Sequence, residues 1–493
     1  MAGVLICHIF VLRIYMNIKK YTALTAALVL AFSVVGCGKS NDSSAQTSSY
    51  SEKIEVIDSS ADSDKNSAYN SVEELNGEEG ELEWFSYYDL NPTRSQPERS
   101  TNLALFENKG GKIIYAQTSS MKKYDDLAAR LMADDPPDMF AYEQKMTFPA
   151  NCVKEMFQPI DDAIDIDDPL WADVKATADD FTLGGKHYVL PIAYGALSVM
   201  TYNKTVIEAE GFDDPYDLYM AGEWDWNSWY DLMEEYCEGA PADEERYGIN
   251  GWFAPFIFQS TGKTLINYDS ENDEYTANLF DPDLERAANL LYDIQKKGYY
   301  YSDWVGSATE AFKKKILFYA MGDWAVTPKE GDNWGIVPMP KDPNVDEQYT
   351  TVSINAYMWV RGSEKAKAYR VWNECSKLAQ DDPEYKEIGK KKFFENKPYF
   401  TDEMYQIVYE EVISDHFIKL NDPGYGISTA LSDDDAVTNP SKEAIIPFMY
   451  SSVMKSDDSG KQYTWSKLRE TYKSTIDSEL AQFNESYHKF IAE

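Results

Sequence analysis

The fold is decided by the stretch Gly184-Gly-Lys-His-Tyr-Val-Leu-Pro-Ile-Ala-Tyr-Gly-Ala-Leu-Ser-Val-Met-Thr-Tyr-Asn203. Its opening glycine pair predicts a tight turn, because glycine alone adopts positive φ freely. The β-prone residues that follow, up to Leu190, favour a strand. Pro191 interrupts this strand, since proline has no N–H to donate to a ladder. We therefore expect the chain to leave one sheet at Pro191, enter a second sheet beyond it, and place Tyr194 on the floor of a cleft.

Strands alternate with a helix upstream of this stretch. Strand patterns occupy residues 81–89, 112–116 and 138–142, and apolar residues at helical spacing occupy 124–132. This alternation predicts an α/β domain with a parallel sheet, in which ligands lie at the carboxyl ends of the strands. The residues that follow the first and third strands are therefore candidate ligand contacts. These are Tyr87, Tyr88, Asp89, Tyr142 and Glu143.

Three further candidate contacts lie downstream, in two segments. An apolar strand over 316–321 leads into Gly322-Asp-Trp324, where the glycine would let the backbone turn sharply and aim Asp323 and Trp324 into a cleft. The segment 247–253, Tyr-Gly-Ile-Asn-Gly-Trp-Phe, is interpreted as an aromatic loop punctuated by glycine. Trp252 in this loop could line the cleft or pack as core.

Two helices carry their own signals. Asp281 followed by Pro282 predicts a helix start, with an aspartate cap and proline in the first turn. At the end of the chain, apolar residues recur at threes and fours from Trp465 to Tyr487. This stripe predicts an amphipathic helix that packs on the body as core.

The first residues resemble a bacterial lipoprotein signal rather than part of the fold. Lys19-Lys20 precede an apolar run that ends in Val34-Val-Gly-Cys37. The run is shorter than the ~20 residues that a membrane-spanning helix needs. The resemblance implies a signal peptide over 1–36, with Met16 as the alternative start, and cleavage before an acylated Cys37. Residues 37–78 are rich in Ser, Asp, Asn and Glu and predict a disordered tether.

Charge and cysteine content exclude several classes of protein. The net charge of -38 argues against nucleic-acid binding, which needs clustered Lys and Arg. The cysteines beyond Cys37 are Cys152, Cys237 and Cys375, too widely spaced for a disulfide framework, although one pair could form. No histidines stand at metal-ligand spacing, and we expect neither a metal nor a cofactor.

The central stretch resembles a family of known proteins. Pro191-Ile-Ala-Tyr-Gly-Ala-Leu-Ser-Val-Met-Thr-Tyr-Asn-Lys204 is similar to the first crossing between lobes in the extracellular solute-binding proteins of ABC importers, in the sugar-binding group that includes the maltodextrin-binding protein. The Trp-rich segment 223–229, the Gly-Asp-Trp element at 322–324 and the segment 334–340 match the same family. The resemblance covers about residues 80 to 490 and is loose over 400–460.

The resemblance implies an α/β, two-lobed periplasmic-binding-protein-like fold of type II, with hinge crossings near Pro191 and Ser353. The implied N-terminal lobe is 79–191 plus about 352–405, and the C-terminal lobe is 192–351 plus about 406–493. The second crossing strand, within 350–360, adds Asn355 and Tyr357 to the candidate contacts.

The implied function is capture of a sugar between the lobes and delivery to ABC permease subunits by a monomer anchored through Cys37 to the outer face of the cytoplasmic membrane. Aromatic rings suit the C–H faces of pyranoses, and carboxylates and Asn suit their hydroxyls. Three alternatives stay open: a peptide or other solute, glycan capture without import, and a glycoside hydrolase. A hydrolase needs two carboxylates about 5–10 Å apart, and the sequence holds no catalytic motif that marks such a pair.

Overall fold

The computed structural model describes residues 67–432, 444–456 and 459–492. The predicted signal peptide and Cys37 lie outside the described residues. The chain divides into two compact units. The first unit comprises 67–141, Asp162–Asp165 and Tyr357–Asn396, and the second comprises Tyr142–Asp161, Ile166–Ala356 and the described residues after Asn396.

The strands are short, and most of them belong to one of two four-stranded sheets. In chain order they are β1 Glu81–Ser86, β2 Lys112–Gln117, β3 Met139–Ala141, β4 Thr182–Leu183, β5 Lys186–His187, β6 Ala193–Ala196, β7 Val199–Asn203, β8 Tyr247–Gly251, β9 Ile266–Asp269, β10 Glu274–Ala277, β11 Ile316–Met321, β12 Trp334–Val337, β13 Tyr349–Thr350, β14 Val352–Asn355, β15 Tyr357–Trp359 and β16 Ile418–Lys419.

Helices separate many of the strands. In chain order they are α1 Ser67–Ser71, α2 Thr101–Asn108, α3 Lys123–Met132, α4 Lys175–Asp179, α5 Lys204–Glu210, α6 Pro215–Ala221, α7 Trp226–Glu238, α8 Ala254–Gln259, α9 Pro282–Lys297, α10 Ala308–Lys313, α11 Ala366–Asp381, α12 Pro383–Asn396, α13 Asp402–Tyr405, α14 Thr429–Ser432, α15 Ile445–Ser452 and α16 Trp465–Ala492. Single turns of 3-10 or π type occupy Gly77–Gly80, Thr147–Asn151, Pro169–Trp171, Asp323–Ala325, Gln406–Glu411 and Pro423–Gly426.

The first unit contains a sheet in the order β15-β3-β1-β2. β1 is parallel to both β2 and β3, as the alternation of strands and helices predicts, and β15 joins antiparallel to β3. Leu82 and Trp84 of β1 are fully buried, so the strand lies in the core. Its carboxyl end therefore delivers Tyr87 and the residues after it to one edge of this sheet.

The second unit contains a sheet in the order β12-β7-β11-β8. β11 is antiparallel to β7 and parallel to β8. All of β11 from Ile316 to Ala320 is buried, which explains why its sequence is a continuous apolar run. The predicted strand over 316–321 is confirmed.

The sheet change in the central stretch lies later than predicted. Gly184 and Gly185 have φ of 57° and 74° and form the predicted turn between β4 and β5. The strand predicted up to Leu190 ends at His187, and Pro191 lies in no strand. The chain instead changes sheets at residues 197–198, because β6 pairs with β14 whereas β7 joins the four-stranded sheet. Both strands belong to the second unit.

The compact units differ from the lobe boundaries that the resemblance implies. Residues 142–161 and 166–191 belong to the second unit although they were assigned to the N-terminal lobe, and the chain returns to the first unit between Ala356 and Tyr357. The compactness of a segment depends on tertiary packing, which local sequence patterns do not carry. The lobe boundaries and the hinge crossings near Pro191 and Ser353 stay predictions about which parts of the chain move together.

The folded body begins earlier than the predicted end of the tether. Val72 and Leu75 are buried, and the Leu75 N–H donates to the carbonyl of Lys109 at 2.7 Å. The Glu73 carboxylate pairs with Lys367 at 2.8 Å on the same unit. Residues 67–78, predicted as tether, are thus ordered against the first unit.

The remaining helix predictions are confirmed. Asp281 accepts the N–H of Asp283 at the start of α9, with Pro282 in the first turn. In α16 the predicted stripe is buried at Trp465, Leu468, Ile476, Leu480, Phe483 and Tyr487. Among the described residues, no helix is both long enough and apolar enough to cross a membrane.

Candidate functional site

Three of the predicted contacts meet at one edge of the four-stranded sheet of the second unit. β8 and β11 are parallel neighbours, and Gly251 pairs with Ala320 near their carboxyl ends. Trp252 follows β8 directly, whereas Asp323 and Trp324 follow β11 after one glycine. Because the carboxyl ends of parallel strands share one sheet edge, the structure brings these three residues to the same edge.

The segment around Trp252 is a strand rather than the predicted loop. β8 runs through Tyr247 to Gly251, and Gly251 has a φ of 106°. A Cβ atom at this position would lie 2.1 Å from the carbonyl oxygen of Ala320, so only glycine fits. The Trp252 N–H then donates to the same carbonyl at 2.7 Å, and its indole is 37% exposed beside the edge. Trp252 therefore has an accessible ring and is not core.

Gly322 is required for a different reason from the one predicted. Its φ of -70° and ψ of 168° are open to any residue, so no special turn is made there. A methyl group at position 322 would instead lie 2.1 Å from Cζ3 of the Trp324 ring. The missing side chain thus makes room for the indole of Trp324, which lies over the glycine and is half-buried.

Asp323 carries a carboxyl group whose charge is poorly solvated. Burial raises its pKa from 3.8 to about 6, although the N–H of Trp324 and the ammonium of Lys397 act in the opposite direction. Burial also lowers the pKa of Lys397, against the effect of Asp323. The two groups are thus close enough to influence each other, in a poorly hydrated part of the second unit.

Lys397 and Tyr409 are members of this site that the sequence analysis missed. The Lys397 ammonium lies 3.5 Å from the Tyr409 hydroxyl and 5.4 Å from the centre of the Phe400 ring. Burial and the nearby Asp323 both raise the pKa of Tyr409. The available signal was a lysine followed closely by aromatic residues at 399, 400, 405 and 409, in a region where the family resemblance is loose.

The ribbon of β6 and β14 contributes a polar face to the same site. Gly195 pairs with Ser353 and Ala193 with Asn355, so these residues share one face of the ribbon. The position that a Cβ at residue 195 would occupy is 3.5 Å from Oδ2 of Asp323. Ser353 and Asn355 therefore lie on the face that the Asp323 carboxylate approaches.

Tyr194 lies on the opposite face of this ribbon from Asn355. It pairs with Ile354, which is buried, and the ammonium of Lys419 lies 5.4 Å from the centre of its ring. Burial raises the pKa of the Tyr194 phenol. The structure thus separates Tyr194 from the Asp323 cluster, although the sequence analysis had placed both in one cleft.

The first unit presents Tyr87 and Asp89 after β1. The Lys123 ammonium lies 5.1 Å from the centre of the Tyr87 ring, and the Tyr88 ring contacts it edge-on at 5.2 Å. One oxygen of Asp89 accepts both the backbone N–H and the side-chain amide of Asn91 at 2.9 Å. Asp89 therefore shapes its own loop, and Tyr87 is the half-exposed aromatic surface.

Two predicted contacts are buried within their own units. Tyr357 is 2% exposed, and its ring packs edge-on against Trp84 at 5.8 Å and Trp372 at 5.2 Å. Tyr142 is 8% exposed and packs against Phe181 at 5.5 Å. Both rings pack against aromatic side chains that are themselves buried, so they are corrected here to core residues. The neighbouring Glu143 is half-exposed.

No group of three or more His, Cys, Asp or Glu side chains within residues 67–432, 444–456 and 459–492 could hold a metal ion. The cysteines Cys152, Cys237 and Cys375 are all free thiols. Burial raises the pKa of each of these thiols, which makes them poor nucleophiles.

Comparison with known proteins identifies the family. The sequence pattern of the family described as bacterial extracellular solute-binding protein matches residues 104–371, and the chain belongs to this family. A comparison with curated protein sequences gives no significant match.

Solved structures share the fold at low sequence identity. An ABC substrate-binding protein from Listeria monocytogenes in complex with cycloalternan is 13% identical, with a TM-score of 0.50, and the match covers 84% of this chain and 99% of that one. The bacterial solute receptor AcbH, described as having an exclusive preference for β-D-galactopyranose, is 12% identical, with a TM-score of 0.54 and coverage of 81% and 98%. An ABC-transporter-associated binding protein from B. animalis subsp. lactis in complex with β-1,6-galactobiose is 17% identical, with a TM-score of 0.50 and coverage of 82% and 98%. The predicted α/β fold class of two-lobed binding proteins is confirmed.

Proposed function

We propose that this chain captures a carbohydrate outside the cell and delivers it to the permease of an ABC transporter. Membership of the extracellular solute-binding family supports both the binding of a solute and a location outside the cell. Proteins of similar fold bind cycloalternan, galactopyranose or galactobiose, which supports the choice of a carbohydrate. A binding protein holds its ligand without converting it, so the proposed function requires no catalysis.

The observation that carries the proposal is the juxtaposition at the carboxyl ends of β8 and β11. Trp252 and Trp324 offer ring faces for the C–H surface of a sugar, and Asp323 offers a carboxylate for its hydroxyls. Asn355 and Ser353 line the adjoining ribbon face. Tyr87 and Asp89, which follow β1 in the first unit, and Glu143, which follows β3 and belongs to the second unit, stay predicted ligand contacts.

A melting screen tests the proposal. A ligand at 100 times its Kd stabilises the folded state by about 2.7 kcal/mol, which is a readily measured rise in Tm. We expect galactobiose, maltodextrins, cycloalternan or a related glycan to raise Tm and to be recovered intact. A rise with peptides and with no sugar would contradict the proposal, and hydrolysis of a bound glycan would favour the enzyme alternative.

The location of the protein is proposed to be the outer face of the cytoplasmic membrane, with a lipid anchor on an acylated Cys37. The support is the sequence Val34-Val-Gly-Cys37 after an apolar run, together with an extracellular family. The permease partner follows from the same family, and we propose that the protein acts as a monomer.

A further inference from the structure

The second unit carries one large indole in an unusual position. Trp304 is 63% exposed, more than any other tryptophan in the part of the chain that the structure describes. One exposed indole on a protein surface is not unusual by itself, so the meaning of Trp304 depends on the backbone that holds it and on the residues beside it. It lies in the segment 299–305, between α9 and α10, to which no role has been assigned so far.

This segment is held against the outer side of β8. The N–H of Ile249 donates to the Tyr299 carbonyl at 3.1 Å, and the N–H of Tyr301 donates to the Ile249 carbonyl at 3.1 Å. Tyr300 forms a parallel bridge with Ile249. The segment therefore runs in the same direction as β8, whose one strand partner within the described residues is β11.

Buried side chains fix the backbone on both sides of Trp304. The amide of Asn250, which is 2% exposed, donates to the carbonyls of Tyr301 at 2.7 Å and Asp303 at 3.0 Å. The hydroxyl of Tyr319 donates to the Val305 carbonyl at 2.9 Å. The exposure of the indole is therefore a property of a fixed backbone rather than of a loose loop.

The direction of the segment brings Trp304 toward the edge that holds Trp252. Across this edge, the order is Trp324 after β11, Trp252 after β8, and Trp304 after the flanking segment. Adjacent backbones in a sheet lie about 4.8 Å apart, so the three positions span roughly 10 Å of backbone. One pyranose ring is too small to contact rings at both ends of this row.

We propose that Trp304 is an outer contact for a carbohydrate chain, so that this protein selects an oligosaccharide over a monosaccharide. The inference rests on the proposed function and extends its site outward from Trp252. The exposed Asp303 beside the indole adds a carboxylate for sugar hydroxyls. The backbone register continues the row of tryptophan positions from 324 and 252 to 304, and exposed aromatic and carboxylate groups in a row suit a sugar chain.

Calorimetry with a homologous series of sugars tests the inference. The series runs from the monosaccharide to the hexasaccharide of the glycan that raises Tm most. In Trp304→Ala we expect the affinity for the longer members to fall about 3- to 10-fold, because one aromatic contact of ordinary strength is lost. The affinity for the monosaccharide should not change, and Trp304→Phe should restore part of the loss.

Met220→Ala is the matched control, because Met220 is 62% exposed on α6 of the same unit. It should leave every affinity unchanged, and all three variants should melt like the wild type. Wild-type affinity of Trp304→Ala for all chain lengths would overturn the inference while leaving the proposed function intact. If the wild type binds no carbohydrate of any length, the proposed function fails and the inference fails with it.

Discussion

Asp323 illustrates how one residue can combine a polar role with a poorly hydrated environment. Its pKa is raised to about 6 by burial, and the ammonium of Lys397 and the N–H of Trp324 offset only part of that effect. Such a carboxylate is only partly solvated and gains from the hydroxyl donors of a sugar. Its ionised form is therefore the form that should bind the ligand.

Ligand affinity should consequently fall as the pH drops through about 6. Above this pH the folded protein holds Asp323 ionised and able to accept hydroxyl hydrogen bonds, whereas below it the protonated acid loses acceptor capacity. The effect on stability has the opposite sign. Because burial raises the pKa, ionised Asp323 destabilises the fold above about pH 6, and this penalty is lost as the pH falls from about 6 toward the ordinary value of 3.8. Calorimetry of wild type and Asp323→Asn between pH 5 and pH 8 checks this, within the range where Asp ordinarily stays ionised.

We expect Asp323→Asn to bind more weakly at neutral pH and to lose most of the pH dependence. The same pH profile in both proteins would show that another group controls binding. Tyr409, whose pKa is raised, stays neutral across this range and does not compete as the cause.

At the scale of the element, the turn after β11 is organised by the fit between Gly322 and Trp324. Gly322→Ala should displace the indole, because the new methyl group would lie 2.1 Å from its ring, whereas the backbone angles at residue 322 suit alanine. We expect weaker glycan binding by about 3- to 10-fold, an amount typical of one aromatic contact, and a Tm near that of the wild type. Gly389→Ala, in α12 with open space around it, should leave the affinity unchanged and raise the Tm slightly, because alanine is the better helix former. Unchanged affinity in Gly322→Ala would mean that the ring position does not matter.

The elements also show which features can be predicted from sequence. β1, β2 and β11 follow from apolar runs, and α9 and α16 follow from a cap and an apolar stripe. β8 was taken for a loop because two of its five residues are glycines, yet Gly251 is needed there by the close approach of Ala320. Glycine spacing therefore signals a crowded backbone as readily as a turn.

Part of the site could be predicted from the sequence, namely the residues that directly follow recognisable strands. Trp252, Asp323 and Trp324 follow strands whose carboxyl ends coincide, which a sequence pattern can indicate. Lys397 and Tyr409 come from a distant segment, and their placement beside Asp323 depends on tertiary packing. Tyr357 and Tyr142 pack against buried aromatic rings in their own units, and this packing likewise depends on tertiary structure rather than on the local sequence pattern.

At the scale of the whole molecule, the predicted fold class is confirmed, whereas the predicted lobe boundaries stay predictions. The segments 142–161 and 166–191 pack with the second unit, although a resemblance to two-lobed proteins assigns them to the first. The net charge of -38 is consistent with a protein that stays soluble outside the cell. The cellular location and the membrane anchor are predicted from residues 1–37, and a separate experiment tests them.

Cells that express the wild type should incorporate a fatty-acid analogue into this protein, and Cys37→Ser should abolish the label. The reason is that acylation requires the thiol that follows Val34-Val-Gly. Cys152→Ser is the matched control, because Cys152 is fully buried and its thiol is a poor nucleophile; it should stay labelled. Equal labelling of wild type and Cys37→Ser would contradict the anchor.

The central claim, that a carbohydrate binds at the carboxyl ends of β8 and β11, is tested most directly by the affinity and the ligand-free Tm of Trp324→Ala. Removing a half-exposed stacking ring should cost about 1–3 kcal/mol of binding while leaving the ligand-free Tm nearly unchanged. Trp229→Ala provides the contrast, because Trp229 is fully buried and its loss should cost roughly 3–5 kcal/mol of stability. A large fall in the ligand-free Tm of Trp324→Ala, with unchanged glycan affinity, would contradict the claim.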